Sequence, residues 1–141
     1  MIDQKQYVPI LKGKMGEFSA LSLLPPEIKN NIVPIIDIVT PPNTKKLSLL
    51  SPKKKLETHL ETTAKYFSKY WGKSLKIYVD CYMLQSYSIL AKHPLELLFD
   101  LLMNGDINAI PVISNVTDFN YNNAVKNIIK RDNKGVALRI F

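Results

Sequence analysis

The stretch YVPILKGKMGEFSAL, Tyr7–Leu21, decides how the fold is read. An apolar run broken only by Pro9 leads to Lys12, then to a turn carrying Gly13 and Gly16, then to a segment of helical character. A continuous apolar run, rather than an alternating one, is how a strand buried on both faces of a parallel sheet reads. The stretch is therefore a strand that delivers Lys12 to the carboxyl edge of a sheet, followed by a helix. Glu17 falls in the first turn of that helix, where its charge suits the helix dipole and needs no catalytic role.

Four more runs of the same kind follow: IVPIID (32–37), LKIYVD (75–80), NAIPVIS (108–114) and GVALRIF (135–141). The segments between them read as helices. GEFSALSLLPPEIKNN offers a short helix and a second turn opened by Pro25 and Pro26, since proline is tolerated in a first turn. Over 53–71, Leu56, Leu60, Ala64, Phe67 and Trp71 recur at helical spacing and form one apolar stripe. KHPLELLFDLLMNG starts near Pro94, buries Leu95, Leu98, Phe99 and Leu102, and stops at Gly105. A last helix begins near Asp118, a good N-cap, and turns Ala124, Val125, Ile128 and Ile129 inward. Gly135 then allows the turn into the final run.

This β-α alternation implies right-handed crossovers and an α/β fold of five mainly parallel strands. Two architectures stay open: half of a TIM-like (β/α)8 barrel, or an open doubly wound sheet. A complete barrel takes about 250 residues, so a chain of 141 residues is expected to be a single, partial barrel-like domain over 1–141. The apolar ending at Phe141, with no helix behind it, reads as a barrel cut at its fifth strand. Pro9, Pro34 and Pro111 each stand third in an apolar run and belong near strand starts, because proline donates no ladder hydrogen bond.

Composition fits an ordinary globular protein, with 46% apolar and 22% charged residues. The apolar runs are short and interrupted, so none spans a membrane, and MIDQKQY lacks the apolar region of a secretory signal. Cys81 is the sole cysteine, which excludes an internal disulfide and suits a reducing compartment. The expectation is a cytoplasmic protein, in the host cytoplasm if phage-encoded. Residues 1–76 hold 13 Lys and 6 acids, giving the whole net charge of +7; residues 77–141 balance 6 Lys/Arg against 6 acids. Much of the excess sits in TKKLSLLSPKKK, residues 44–55, a stretch that suits a solvated loop or an anionic partner such as nucleic acid. It holds no arginine, and lysine offers a point charge rather than a bidentate fork.

Three residues beyond each of the three prolines stand Lys12, Asp37 and Ser114, and the matching places in the other runs hold Asp80 and Arg139. Side chains alternate faces along a strand, so these positions can share a face at the carboxyl ends, where α/β sheets assemble their sites. Lys12, Asp37, Asp80 and Arg139 are the candidate catalytic set, with acid–base chemistry by an aspartate or Lys12. Lys12, Lys14 and Arg139 are candidate anion ligands. The aspartates could hold a divalent metal, yet no dedicated metal site and no particular cofactor is implied. The same charges would equally serve as structural ion pairs.

Other patterns carry less. LKGKMGE lacks the glycine spacing of a phosphate loop or dinucleotide fingerprint. His59 and His93 have no Cys or His nearby, so zinc is not expected, and His59, beside Leu60 in the long helix, reads as a surface or rim residue. Cys81 reads as buried and inert. Tyr66, Phe67, Tyr70 and Trp71 among lysines look like a nucleic-acid surface, but helical spacing assigns Phe67 and Trp71 to the core.

The opening YVPILKGKMGEFSALSLLPPEIKNNIVPIIDI resembles the start of the phage and bacterial "beta protein" family. Those members begin with an apolar-Pro-apolar strand, a turn rich in Lys and Glu, an Ala-Leu pair, a helix, and then a strand of the P-I-I-D-I type. The matching residues are Pro9, Lys12, Lys14, Glu17, Ala20, Leu21, Pro34 and Asp37. The specific likeness covers Tyr7–Ile38; beyond it only the strand–helix rhythm is shared, and members generally run longer. The resemblance implies a barrel-like α/β domain and, for phage members, an accessory role against host defences. It supplies no reaction and no catalytic residues.

Three functions are expected in order. The first is a phage or prophage accessory protein that docks a host protein without catalysis, and that forms a homodimer or other oligomer through the edge of the C-terminal strand. The second is a barrel-type enzyme acting on a phosphorylated or nucleotide-like anion. The third is a nucleic-acid binder using residues 44–55.

Overall fold

The computed structural model describes residues 6–87 and 91–141; residues 1–5, on which the reading of the N-terminal leader rests, lie outside it. All five apolar runs form strands: β1 (Ile10–Lys12), β2 (Ile35–Asp37), β3 (Ile77–Asp80), β4 (Ala109–Ser114) and β5 (Ala137–Arg139). They are shorter than the runs: β1 to β4 take up the carboxyl-terminal part of each run and β5 the middle of its own. The sheet is parallel throughout and its order is β1-β2-β3-β4-β5. A doubly wound sheet reverses its order at a switch point. Here the order never reverses, so the winding is that of the barrel-like alternative, in a sheet whose described edges are β1 and β5.

The α-helices between the strands are α1 (Met15–Ser22), α2 (Pro26–Lys29), α3 (Lys45–Ser48), α4 (Pro52–Tyr66), α5 (Pro94–Asn104) and α6 (Phe119–Asp132). Of these, α1, α4, α5 and α6 share one core on one side of the sheet, as right-handed crossovers in an unreversed strand order would place them. The outer core joins Phe18 and Leu21 of α1, Leu56 and Leu60 of α4, Leu95, Leu98 and Phe99 of α5, and Val125 and Ile128 of α6. They pack onto Ile36, Ile77, Val79 and Cys81 of the sheet. The inner face forms a second core of Val33, just before β2, and the strand-borne Ile35, Tyr78, Ile110 and Val112. Each fully buried Leu or Phe contributes roughly 1.5–3 kcal/mol.

Helix starts follow side-chain chemistry. Ser51 accepts from Lys54 N–H with Pro52 in the first turn of α4, and Asp118 accepts from Tyr121 N–H at 2.8 Å to open α6. Thr44 caps α3 through Leu47 N–H, a helix not anticipated within residues 44–55. The stripe expected over 53–71 holds, but its end, Phe67–Trp71, is π-helical, which lets Phe67 and Trp71 both reach the core. Gly72 ends it at φ +99°, a conformation suited to glycine.

Two expectations need correction. Pro9 and Pro34 do precede their strands, but Pro111 lies inside β4. The strand tolerates it because β4 pairs with β3 through Ala109–Pro111 and with β5 only from Val112 onward. His59 is not a surface residue: it is buried and its Nε2 lies 2.6 Å from the Val39 carbonyl oxygen. Among the described residues, no helix is long and apolar enough to cross a membrane.

Candidate functional site

The five singled-out side chains occupy the inner face near the carboxyl ends. Lys12 pairs level with Asp37, and Asp37 with Asp80. The β3–β4 register then runs Val79 to Pro111, so Val112 rather than Ser114 stands beside Asp80. Ser114 lies one inward position further along, level with Arg139. Its hydroxyl accepts weakly from Val116 N–H at 3.4 Å, and it stays outside the charged cluster.

Arg139 joins that cluster by reaching back over the sheet. Its Nη1 donates to Asp37 Oδ1 at 2.6 Å and to Asp80 Oδ2 at 3.2 Å. The guanidinium lies 4.3 Å from the Phe141 ring centroid and 5.7 Å from that of Tyr82. Lys12 Nζ stands 3.7 Å from Asp37 Oδ2. Both carboxylates are almost fully buried, while Lys12 is half exposed. The guanidinium fills the space between the aspartates that a divalent metal would need. Among the described residues no three His, Cys, Asp or Glu side chains converge as a metal site.

Asp80 has a second set of partners that the sequence reading missed. Its Oδ1 accepts from Tyr82 N–H at 3.0 Å and lies 3.3 Å from the hydroxyl of Tyr121. That buried hydroxyl accepts from Cys81 N–H, and shares its one proton with the Val112 carbonyl oxygen at 2.9 Å. Tyr121 could have been found, since it continues the inward spacing of Ala124, Val125 and Ile128 on α6. Burial pushes the Asp80 carboxyl above the ordinary carboxylate range; Tyr82 N–H opposes this, Asp37 adds to it, and Arg139 opposes it. Burial works against the charge on Arg139, but its bonds to Asp37 and Asp80 outweigh that and raise its pKa. Cys81 is buried, as expected, and burial, aided by Asp80 and Asp37, pushes its thiol well up, which disfavours the thiolate.

Lys14 does not join Arg139. It lines a cleft of about 730 Å³ beside the cluster, together with Lys12 and Lys46. The cleft opens at the carboxyl ends of β1 and β2, between the turn after β1, the loop after β2 and one face of α4. Gly13 makes the turn possible: its N–H donates to the Asp37 carbonyl oxygen at 2.8 Å, and a Cβ there would stand 3.3 Å from that same oxygen. From α4 come Thr58, Thr62 and Tyr66, spaced four residues apart and so on one face. Among the described residues no carboxylate lines the cleft. Among the described residues none forms an ion pair with Lys14 or Lys46. His59 forms part of the floor, and burial holds its pKa below the usual value against the pull of the Val39 carbonyl, so it stays neutral near pH 7. Lys46 had been grouped with a nucleic-acid segment; only the folding of α3 brings it to Lys14.

No curated protein and no solved structure matches the chain significantly. The model of the Beta protein family does match, over residues 7–141, so the likeness seen at Tyr7–Ile38 extends through nearly every strand and helix described above. The chain belongs to the Beta protein family.

Proposed function

We propose that this is a phage-related accessory protein that acts by binding, and that its ligand is an anion held in the cleft by Lys14 and Lys46 with Lys12 at the edge. Membership in the Beta protein family suggests the phage relation. The observation that carries the binding reading is a concave lining to which the described residues bring three lysines and no carboxylate. The neighbouring Asp37, Asp80 and Arg139 engage one another, which supports a structural role for them over a catalytic one. The test is thermal unfolding with added inorganic phosphate or pyrophosphate. Either anion should raise Tm, since a ligand that binds only the folded state stabilises it. Lys14→Ala and Lys46→Ala should each reduce the rise, and an unchanged Tm in the parent protein at millimolar anion would defeat the reading.

Docking of a host protein, which would serve to counter host defence, is a second reading favoured by one observation. On β5 and the residues flanking it, Val136, Leu138 and Ile140 face away from the inner core and are exposed, Leu138 and Ile140 by more than 70%. Replacing Leu138 and Ile140 with Ser should abolish capture of a specific host protein and leave phosphate binding intact. Self-association through the same face would show as a dimer mass by light scattering, lost in that variant. Nucleic-acid binding through residues 44–55 would instead weaken steeply with salt.

A further inference from the structure

The cleft combines two chemistries, and an inorganic anion would satisfy only one of them. Lys14 and Lys46 supply charge, while Met15, Pro41, Leu47 and Tyr66 supply an apolar wall. Resting on the anion-binding reading, we propose that the ligand is a nucleoside monophosphate, with its phosphate on Lys14 and Lys46 and its base against Tyr66.

Four observations support the assignment. The volume of about 730 Å³ lies inside the range of small-molecule sites, roughly 300–1,000 Å³. The loop after β2 and α3 wall the cleft, which suits a bounded ligand better than a continuous strand. Thr58, Thr62 and Tyr66 follow one face of α4 across about 12 Å at 1.5 Å per residue, a span comparable to an extended mononucleotide. The hydroxyls of Thr58 and Thr62 in that row suit a ribose. The Tyr66 ring is itself braced, tilted against Phe18 at 5.8 Å and against Tyr70 at 6.2 Å. A fixed aromatic surface loses little entropy when a base stacks on it.

Calorimetric titration of the full chain separates the possibilities, using the four common nucleoside monophosphates, their nucleosides, inorganic phosphate and a short single-stranded oligonucleotide. At least one nucleotide should bind roughly tenfold or more tighter than phosphate and than its own nucleoside, as expected for one stacked base. Tyr66→Phe should keep that advantage. Tyr66→Ala should lower nucleotide affinity to the level of phosphate while phosphate affinity stays unchanged, with circular dichroism confirming that the variant folds. Lys14→Ala and Lys46→Ala should weaken nucleotide and phosphate alike. Phosphate binding as tightly as every nucleotide would overturn this inference and leave the anion reading standing. Binding of the oligonucleotide without any mononucleotide would overturn it in favour of a polymer. Absence of binding by all probes would overturn both.

Discussion

Arg139 on β5 bonds Asp37 on β2 at 2.6 Å, although β3 and β4 lie between their strands. A flat sheet would hold strands three apart at roughly 14 Å. The contact therefore measures how strongly the sheet curls around its inner core. It also makes one side chain responsible for two buried carboxylates.

Arg139→Gln should destabilise the protein by about 3–5 kcal/mol, because it leaves Asp37 and Asp80 buried without their guanidinium. Chemical denaturation checks this. Adding Asp37→Asn to the variant should recover part of the loss, and a single variant as stable as the parent would show the cluster to be incidental.

Stability should change with pH through His59. Its folded pKa is lowered by burial, so the folded state binds the proton less tightly than the unfolded chain does. The contribution is complete above the usual value near 6.5 and is lost as pH falls through it towards the folded value. Urea midpoints between pH 5 and 8 should show this slope, and His59→Gln should flatten it. Asp80 acts oppositely: its raised folded pKa means that its contribution is greatest at low pH and declines as pH rises from about 4.

Tyr121→Phe keeps the ring in the outer core and removes only the hydroxyl. Cys81 N–H and the Val112 carbonyl would then be buried without that partner, at a cost of about 1–3 kcal/mol. Denaturation midpoints test the magnitude. A neutral substitution would mean that both groups find new partners.

Gly13→Ala should cost about 1–3 kcal/mol by overpacking, since the new methyl would press on the Asp37 carbonyl oxygen and Ile36 Cγ2, each at 3.3 Å. The same substitution moves the turn bearing Lys12 and Lys14, so phosphate-induced stabilisation should fall with it. Calorimetry and thermal unfolding on one sample separate the two effects.

The strands were legible because each apolar run marked one: β2, β3 and β4 are buried on both faces, and the more exposed edges β1 and β5 still carry apolar runs. Helix starts at Pro94 and Asp118 were legible because first-turn proline and capping are local chemistry. The convergence of Lys12, Asp37, Asp80 and Arg139 followed from alternation alone. What escaped was what depends on long-range register. The β3–β4 pairing sets Ser114 beyond Asp80, and nothing in either run encodes that offset. His59 escaped for another reason: it sits at helical spacing with Leu56, Leu60 and Thr63, yet a polar residue in an apolar stripe was assigned by type instead of position. Lys14 and Lys46 are separated by α1, α2 and β2, and only the folded chain shows them on one cleft.

Pro111 has a further consequence. The first three residues of β4 pair with β3 and the last three with β5, so the ladder changes hands at a residue that has no amide proton to donate. The sheet is thus sewn from two pieces along a seam within a single strand. Across that seam, Arg139 is a stitch that fastens β5 to the aspartates of β2 and β3. Backbone amides of β5 should lose their protection from hydrogen exchange ahead of those in β2 and β3. Cutting the stitch with Arg139→Gln should widen that interval, so that the first event in unravelling the molecule is the release of one strand from an otherwise intact sheet.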